Sequence, residues 1–240
     1  MVVQASYAIT AGRALALADD QIEPSLAGEP FGADPAEAGW RVEPLTAFVK
    51  PATDVVLLGH ASPPRPVAEH FVSLRVGALS KALRVVGDRV WTRRGGAPQP
   101  SPAAPFERMR LSYDRAFGGW DRSSADPSQH ARFAENPVGV GFRAPRSPFE
   151  EGAPLPNIED PAAPATRFGD PVAPAGVAFV SPDWQPRAAL AGTFDDAWSR
   201  DRRPLLPRDF DRRFFNAASR GLVARGHLRG DEPVAVDGAS

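Results

Sequence analysis

Proline (27) and glycine (21) make up a fifth of this 240-residue chain, and they constrain its fold more than any other feature. A proline has no N–H to give to a helix or a sheet ladder and its ring fixes φ, so frequent prolines cut regular structure into short pieces. Disorder is one outcome of such content. It is opposed here by 42% hydrophobic residues and five tryptophans, apolar material that disordered chains lack. The expected result is a set of short strands joined by long, irregular, well-packed loops.

Alternation of apolar and polar residues dominates the first half. Val3, Ala5, Tyr7 and Ile9 point one way and Gln4 and Ser6 the other; Ala11-Gly12 turns, and Arg13 to Ala18 returns as a partner strand. Residues 22 to 40 read as loop. Asp54 to Gly59 predicts a central strand buried on both faces. The clearest signal is a three-stranded meander. Val72, Leu74 and Val76 alternate with Ser73 and Arg75, a turn near Gly77 to Ser80 leads to Leu83 and Val85, and Gly87-Asp88 turns into Val90-Trp91. Arg93 to Pro105 reads as a polar connector. A further strand follows, with Met109, Leu111 and Tyr113 facing in and Arg108, Arg110 and Ser112 facing out.

Beyond Ala116 the prolines recur and no long periodic segment survives. Two short helices are expected. One is capped by Thr193, with Asp195 and Asp196 in its first turn, and stops before Pro204; the other spans Asp211 to Ala218. A last strand pair, His227 to Arg229 and Val234 to Val236, flanks a Gly230-Asp231 turn. The fold expected is mainly β: an antiparallel sandwich or meander-rich domain with long Pro/Gly-rich loops and one or two short helices. It forms one unit over residues 1–240, a meander half (1–115) followed by a loop-rich half (116–240).

Charge removes several function classes. With 28 basic and 29 acidic residues the net charge is -1, which gives no electrostatic reason to expect nucleic acid or an anionic membrane. Lys50 and Lys81 are the only lysines, an arginine bias that fits a GC-rich genome. Without cysteine there is no disulfide, thiolate metal site or cysteine nucleophile. The first residues lack a signal peptide's basic and apolar regions, and no apolar run approaches bilayer length, so a cytoplasmic protein is expected.

Catalytic patterns are missing too. His60, His70, His130 and His227 show no metal-ligand spacing, so no metal or small-molecule cofactor is expected. Asp195 with Asp196, or Asp209 with Asp211, is an acid/base pair only if the fold sets the two opposite each other. There is no nucleophile elbow, phosphate loop or dinucleotide fingerprint. Gly118-Gly119 and Gly139-Val140-Gly141 read as backbone room beside aromatic rings, and Arg229-Gly230-Asp231 as a turn. No catalytic residue is assigned, and the chain is not expected to be an enzyme. Trp120, Phe142, Trp184, Arg187, Trp198, Phe210, Phe214 and Phe215 are of the types that anchor protein interfaces, or they form the core beneath the loops.

The loop segments also have an order. Arg115-Ala116-Phe117-Gly118-Gly119 is followed by Glu135-Asn136-Pro137-Val138-Gly139-Val140-Gly141-Phe142, then Leu155-Pro156-Asn157-Ile158-Glu159 and Trp184-Gln185-Pro186-Arg187. Ala191-Gly192-Thr193-Phe194-Asp195 and Asp209-Phe210-Asp211-Arg212-Arg213-Phe214-Phe215-Asn216 close the series, and Phe48 to Val55 and Ser73 to Gly77 fit upstream. This set resembles a bacterial domain family of formerly unknown function that is encoded beside type VI secretion genes and linked to PAAR spike-tip proteins. The resemblance implies a non-enzymatic adaptor, or chaperone, that holds a toxic effector and helps mount it on the PAAR and VgrG spike. Arg115, at the border of the two halves, and Trp120, Trp184, Arg187 and Trp198 in the loop-rich half are the expected contact residues. The rival reading is a carbohydrate-binding or glycosidase-like β-sandwich, which requires aromatic rings flanking a carboxylate pair in one cleft. A third is a structural part of a larger protein.

Overall fold

The structure, a computed structural model, describes residues 5–8, 16–23, 26–30, 40–44, 47, 49–145 and 147–240. Its organising element is a hairpin of β1 (Glu69–Val76) and β2 (Leu79–Val86), paired through every residue and turned at Gly77. Alternation sorts its side chains, because successive residues of a strand point to opposite faces. Val72, Leu74, Val76, Leu83 and Val85 are buried, while Phe71, Ser73 and Arg75 are exposed.

The expected third strand does not join this sheet. β3 (Trp91–Arg94) turns away and pairs with β4 (Ala97–Pro100) in a separate hairpin, inside the stretch that reads as a connector. The reason is that the free edge of β2 is already taken. β5 (Ile158–Glu159) pairs there, with the Val86 N–H donating to the Asn157 carbonyl at 2.7 Å. β6 (Val234–Asp237) covers the other side, so the sheet runs β5-β2-β1-β6, antiparallel throughout. His227 to Arg229 form no strand opposite β6. Instead the Glu232 carboxylate accepts the N–H groups of Arg229 and Gly230, and the chain turns toward β1.

Asp54 to Gly59 is not a ladder strand either. Its backbone is met by loops: the Val55 N–H donates to Leu222 and the Leu57 N–H to Val177, and its valines and Leu57 are half-buried. Met109–Arg110 pairs with His60–Ala61, and Met109, Leu111 and Tyr113 face the core as expected. Ser112, expected outside, is buried, where its hydroxyl accepts the Arg110 Nε–H and donates to Asp114. The remaining ladders are two or three residues long. Phe117–Gly118 with Val140–Gly141 is a parallel one.

At the N-terminal end, Tyr7–Ala8 pairs antiparallel with Ala16–Leu17. The expectations for Val3, Gln4, Ile9, Ala11, Gly12, Arg13 and Leu15 lie outside the described residues. Part of the expected loop, Glu29–Pro30, pairs with Trp40–Val42. Of the two expected helices, one is α1 (Asp196–Asp201), capped by Asp195 rather than Thr193. The other is a single 3₁₀ turn, Arg212–Phe215, capped by Asp211. The protein is thus mainly β, with antiparallel sheets, long loops and, among the described residues, one short α-helix and no closed barrel.

One carboxylate holds the sheet to the loops. Glu159, buried on β5, accepts hydrogen bonds from Arg84 on β2, from Arg89 just beyond it, and from the Ala165 N–H. Removing this acceptor leaves the buried Arg89 guanidinium without its carboxylate, while Arg84 keeps only Glu69. Glu159→Ala is expected to lose about 3–5 kcal/mol of stability, read from the midpoint of urea unfolding. An unchanged midpoint would mean that the network carries no stability.

Candidate protein-binding surface

Most of the motif residues turn out to hold loops together. Asn136 is fully buried, and its amide donates to the carbonyls of Tyr113 and Phe117 at 2.8 and 2.9 Å. Its own carbonyl accepts the Gly119 N–H. Gly119 lies at φ +91°, and a Cβ there would stand 2.2 Å from the Gly139 carbonyl oxygen, so the strands can meet only without a side chain. Around this clasp Phe117 meets Phe133 and Phe142 edge to face, those two pack tilted against each other, and Pro137 and Pro156 are buried. Asn157 donates to the Val86 carbonyl and to Asp88. Asn216 reaches back to the Ala52 carbonyl and Asp54, and Phe210, Phe214 and Phe215 cluster in edge-on and tilted contacts.

Two of the expected contact residues are interior, which corrects that expectation. Trp184 is 1% exposed and packs edge-on against Tyr113 at 5.4 Å. Arg187 is buried because three carbonyl and carboxylate groups converge on it: it donates to the Phe214 and Val180 carbonyls and pairs with Glu43 at 2.5 Å. Burial pushes the Glu43 carboxyl above its ordinary value, with Arg187 pulling the other way. Arg115 is half-buried and bonded to Asn157. Trp120 is 38% exposed, with the guanidinium groups of Arg122 and Arg132 over its ring at 5.1 and 5.9 Å. Beside it Asp121 is buried and accepts hydrogen bonds from Ser123, Ala144 and Ser147. Burial alone would raise its pKa; the three donors outweigh that and hold the carboxyl well below the usual carboxylate range.

The structure brings the fifth residue, Trp198, into a surface. Thr193 and Asp209 form a staple: the Thr193 N–H and hydroxyl donate to the two Asp209 carboxylate oxygens at 3.0 and 2.8 Å. These hydrogen bonds lower the Asp209 pKa. Gly192, at φ +76°, lets the chain enter the staple against Pro207 and Phe210. The loop so closed carries α1, with the Asp195 carboxylate accepting the Trp198 N–H at 2.8 Å. The Trp198 indole N–H in turn donates to the Leu205 carbonyl. Phe194 packs edge-on against Trp198 at 4.8 Å. The outer apolar residues stay in solvent: Phe194 is 55% exposed, Leu205 60% and Leu206 44%. The leucines escaped sequence reading, although their signal is present in Pro204-Leu205-Leu206-Pro207, an apolar pair between prolines outside any strand or helix pattern.

Other candidate chemistry is dispersed. His60 meets Arg108, His70 the Gly238 carbonyl and His130 the Ser124 carbonyl. Among the described residues no group of three or more His, Asp or Glu side chains is placed to hold a metal ion, and no helix is long and apolar enough to cross a membrane. Asp195 and Asp209 are occupied as cap and staple, and Asp211 by Arg213. These features define a β-rich domain whose loops, pinned by buried amides and carboxylates, present apolar side chains to solvent. The family model described as an uncharacterized protein conserved in bacteria (DUF2169) matches residues 1–240, and the chain belongs to that family. No curated protein and no solved structure matches the chain.

Two outcomes test the clasps. Asn136→Ala leaves the carbonyls it served short of a donor and is expected to lose about 1–3 kcal/mol in urea unfolding; a wild-type midpoint would refute its role as a clasp. Asp121 favours its ionised form in the fold, so its contribution is complete above the ordinary value of 3.8 and is lost as pH falls below it. Between about pH 5 and pH 2.5 the wild-type melting temperature should therefore fall more steeply than that of Asp121→Asn. Parallel curves would count against the shift.

Proposed function

We propose that this protein is a non-enzymatic adaptor that binds a secreted bacterial effector and assists its loading onto the PAAR and VgrG spike of type VI secretion. The observation that carries the protein-binding part is the exposed apolar surface of Phe194, Leu205 and Leu206 over Trp198. Large apolar side chains left in solvent on an anchored loop bind a partner at little entropic cost, because the loop is already ordered. The Thr193–Asp209 staple and the Asp195 cap supply that order. The secretion part is supported by the ordered motif set between Arg115 and Asn216.

A carbohydrate site is less well supported. The rings fall into separate groups, Trp91 with Phe168, Tyr113 with Trp184, and Phe194 with Trp198, and Asp195, Asp209 and Asp211 already serve the backbone or an arginine. The test is affinity capture of the tagged protein from its own bacterium, probing for a PAAR-containing protein and for the toxin encoded beside it. Wild-type protein should retain at least one of them, and a Phe194→Ser, Leu205→Ser variant should retain at least tenfold less at an unchanged melting temperature. Folded wild-type protein that captures neither would overturn the adaptor reading.

A further inference from the structure

A cleft of about 460 Å³ opens between the end of β2 and the motif loops, lined among others by Asp88, Arg89, Arg115, Val140, Leu155 and Asn157. Its cations are unequally served. Arg89 is neutralised by Glu159 and also donates to the Pro156 carbonyl. Arg187 has Glu43, and Arg143 has Glu150 and Asp121; Arg202, away from the cleft, donates to the Leu206 carbonyl. Arg115 has no acid among the described residues. Its Nη1 donates to the neutral amide oxygen of Asn157 at 3.2 Å, and its Nε, like those of Arg89 and Arg143, is buried without an acceptor. The guanidinium has five N–H donors in a planar fork, so most of its capacity is unused.

We propose that this cleft is a binding site for a peptide carboxylate, with the Arg115 fork as its receptor. A half-desolvated guanidinium with open donors binds a carboxylate through paired, charge-assisted hydrogen bonds, stronger than those it makes to neutral oxygens. Asn157 holds the fork in place: its backbone N–H donates to the Arg115 carbonyl at 2.8 Å, and its side chain bridges Arg115 and Asp88. The acids of the rim set the class of ligand. Asp114 is held by Arg110 and Ser112, and Asp88 accepts from Asn157. Two carboxylates at the rim disfavour a multiply charged anion such as a phosphate, while they accept the N–H groups of a peptide backbone. Val140, Pro154 and Leu155 supply an apolar wall for the rest of the segment. The carboxylate is that of an acidic side chain or of a chain terminus. The site does not depend on the adaptor reading, since its residues are distinct from those of the apolar loop.

The experiment titrates the full-length ¹⁵N-labelled protein with three peptides and follows the Arg115 Nε–Hε resonance. The peptides are acetyl-Gly-Glu-Gly-amide, its Gln counterpart, and acetyl-Gly-Gly-Gly with a free terminal carboxylate. One or both carboxylate peptides should shift the resonance and the Gln peptide should not; which of them acts identifies the source of the group. Arg115→Gln should weaken the binding at least tenfold. Asp88→Asn keeps an oxygen for Asn157 while removing a rim charge, and should tighten it. This second variant carries the test if Arg115→Gln lowers the melting temperature. A resonance unmoved by both carboxylate peptides, or moved equally by the Gln peptide, would overturn the proposal.

Discussion

The buried carboxylate of Glu159 is the constraint on which the rest of this structure depends. A carboxylate out of water is costly unless its lone pairs are filled, and Arg84, Arg89 and the Ala165 N–H fill them from three different segments. That requirement fixes where β5 lies against β2, how the chain leaves β2, and where the following loop returns. Asn157, two residues earlier, seals the same junction by donating to the Val86 carbonyl while its own carbonyl accepts the Val86 N–H. The cleft beside Arg115 is a by-product of this junction. Its walls are the residues that the junction cannot let move.

The same logic explains how a chain so rich in proline and glycine orders its loops without long strands. Where ladders are short, side-chain amides and carboxylates take over the role of satisfying backbone groups. Asn136, Asn157 and Asn216 each bond to main-chain carbonyls of distant segments, and Asp54, Asp121 and Asp209 accept main-chain N–H groups. The frame is therefore built of polar residues that bridge loops, some of them buried, while the main apolar core lies under the sheet, around Trp184, Ile158 and Leu222. A division of labour follows. Motif residues such as Gly192, Thr193 and Asp209 anchor a loop, and their neighbours Phe194, Leu205 and Leu206 are what the loop displays.

The sequence by itself determined whatever depends on near neighbours. Alternation at Val72 to Val76 and at Leu83 to Val85 marked the buried face of the hairpin, because strand geometry sends successive side chains to opposite sides. The proline spacing foretold fragments rather than long elements, and acidic side chains before Trp198 and Arg213 marked two turns of helix. Tertiary structure alone decided which edges meet and which large residues are covered. Periodicity identifies a face and carries no information about a partner, so Val90-Trp91 read as the next strand of the meander, whereas the edge of β2 is taken by Ile158–Glu159, where Asn157 and Glu159 find their partners. For the same reason Trp184 and Arg187 read like interface anchors and lie inside, whereas Leu205 and Leu206, which drew no reading, lie outside. A side chain's exposure is set by what folds over it, and in this protein the segments that do so are far away in the chain.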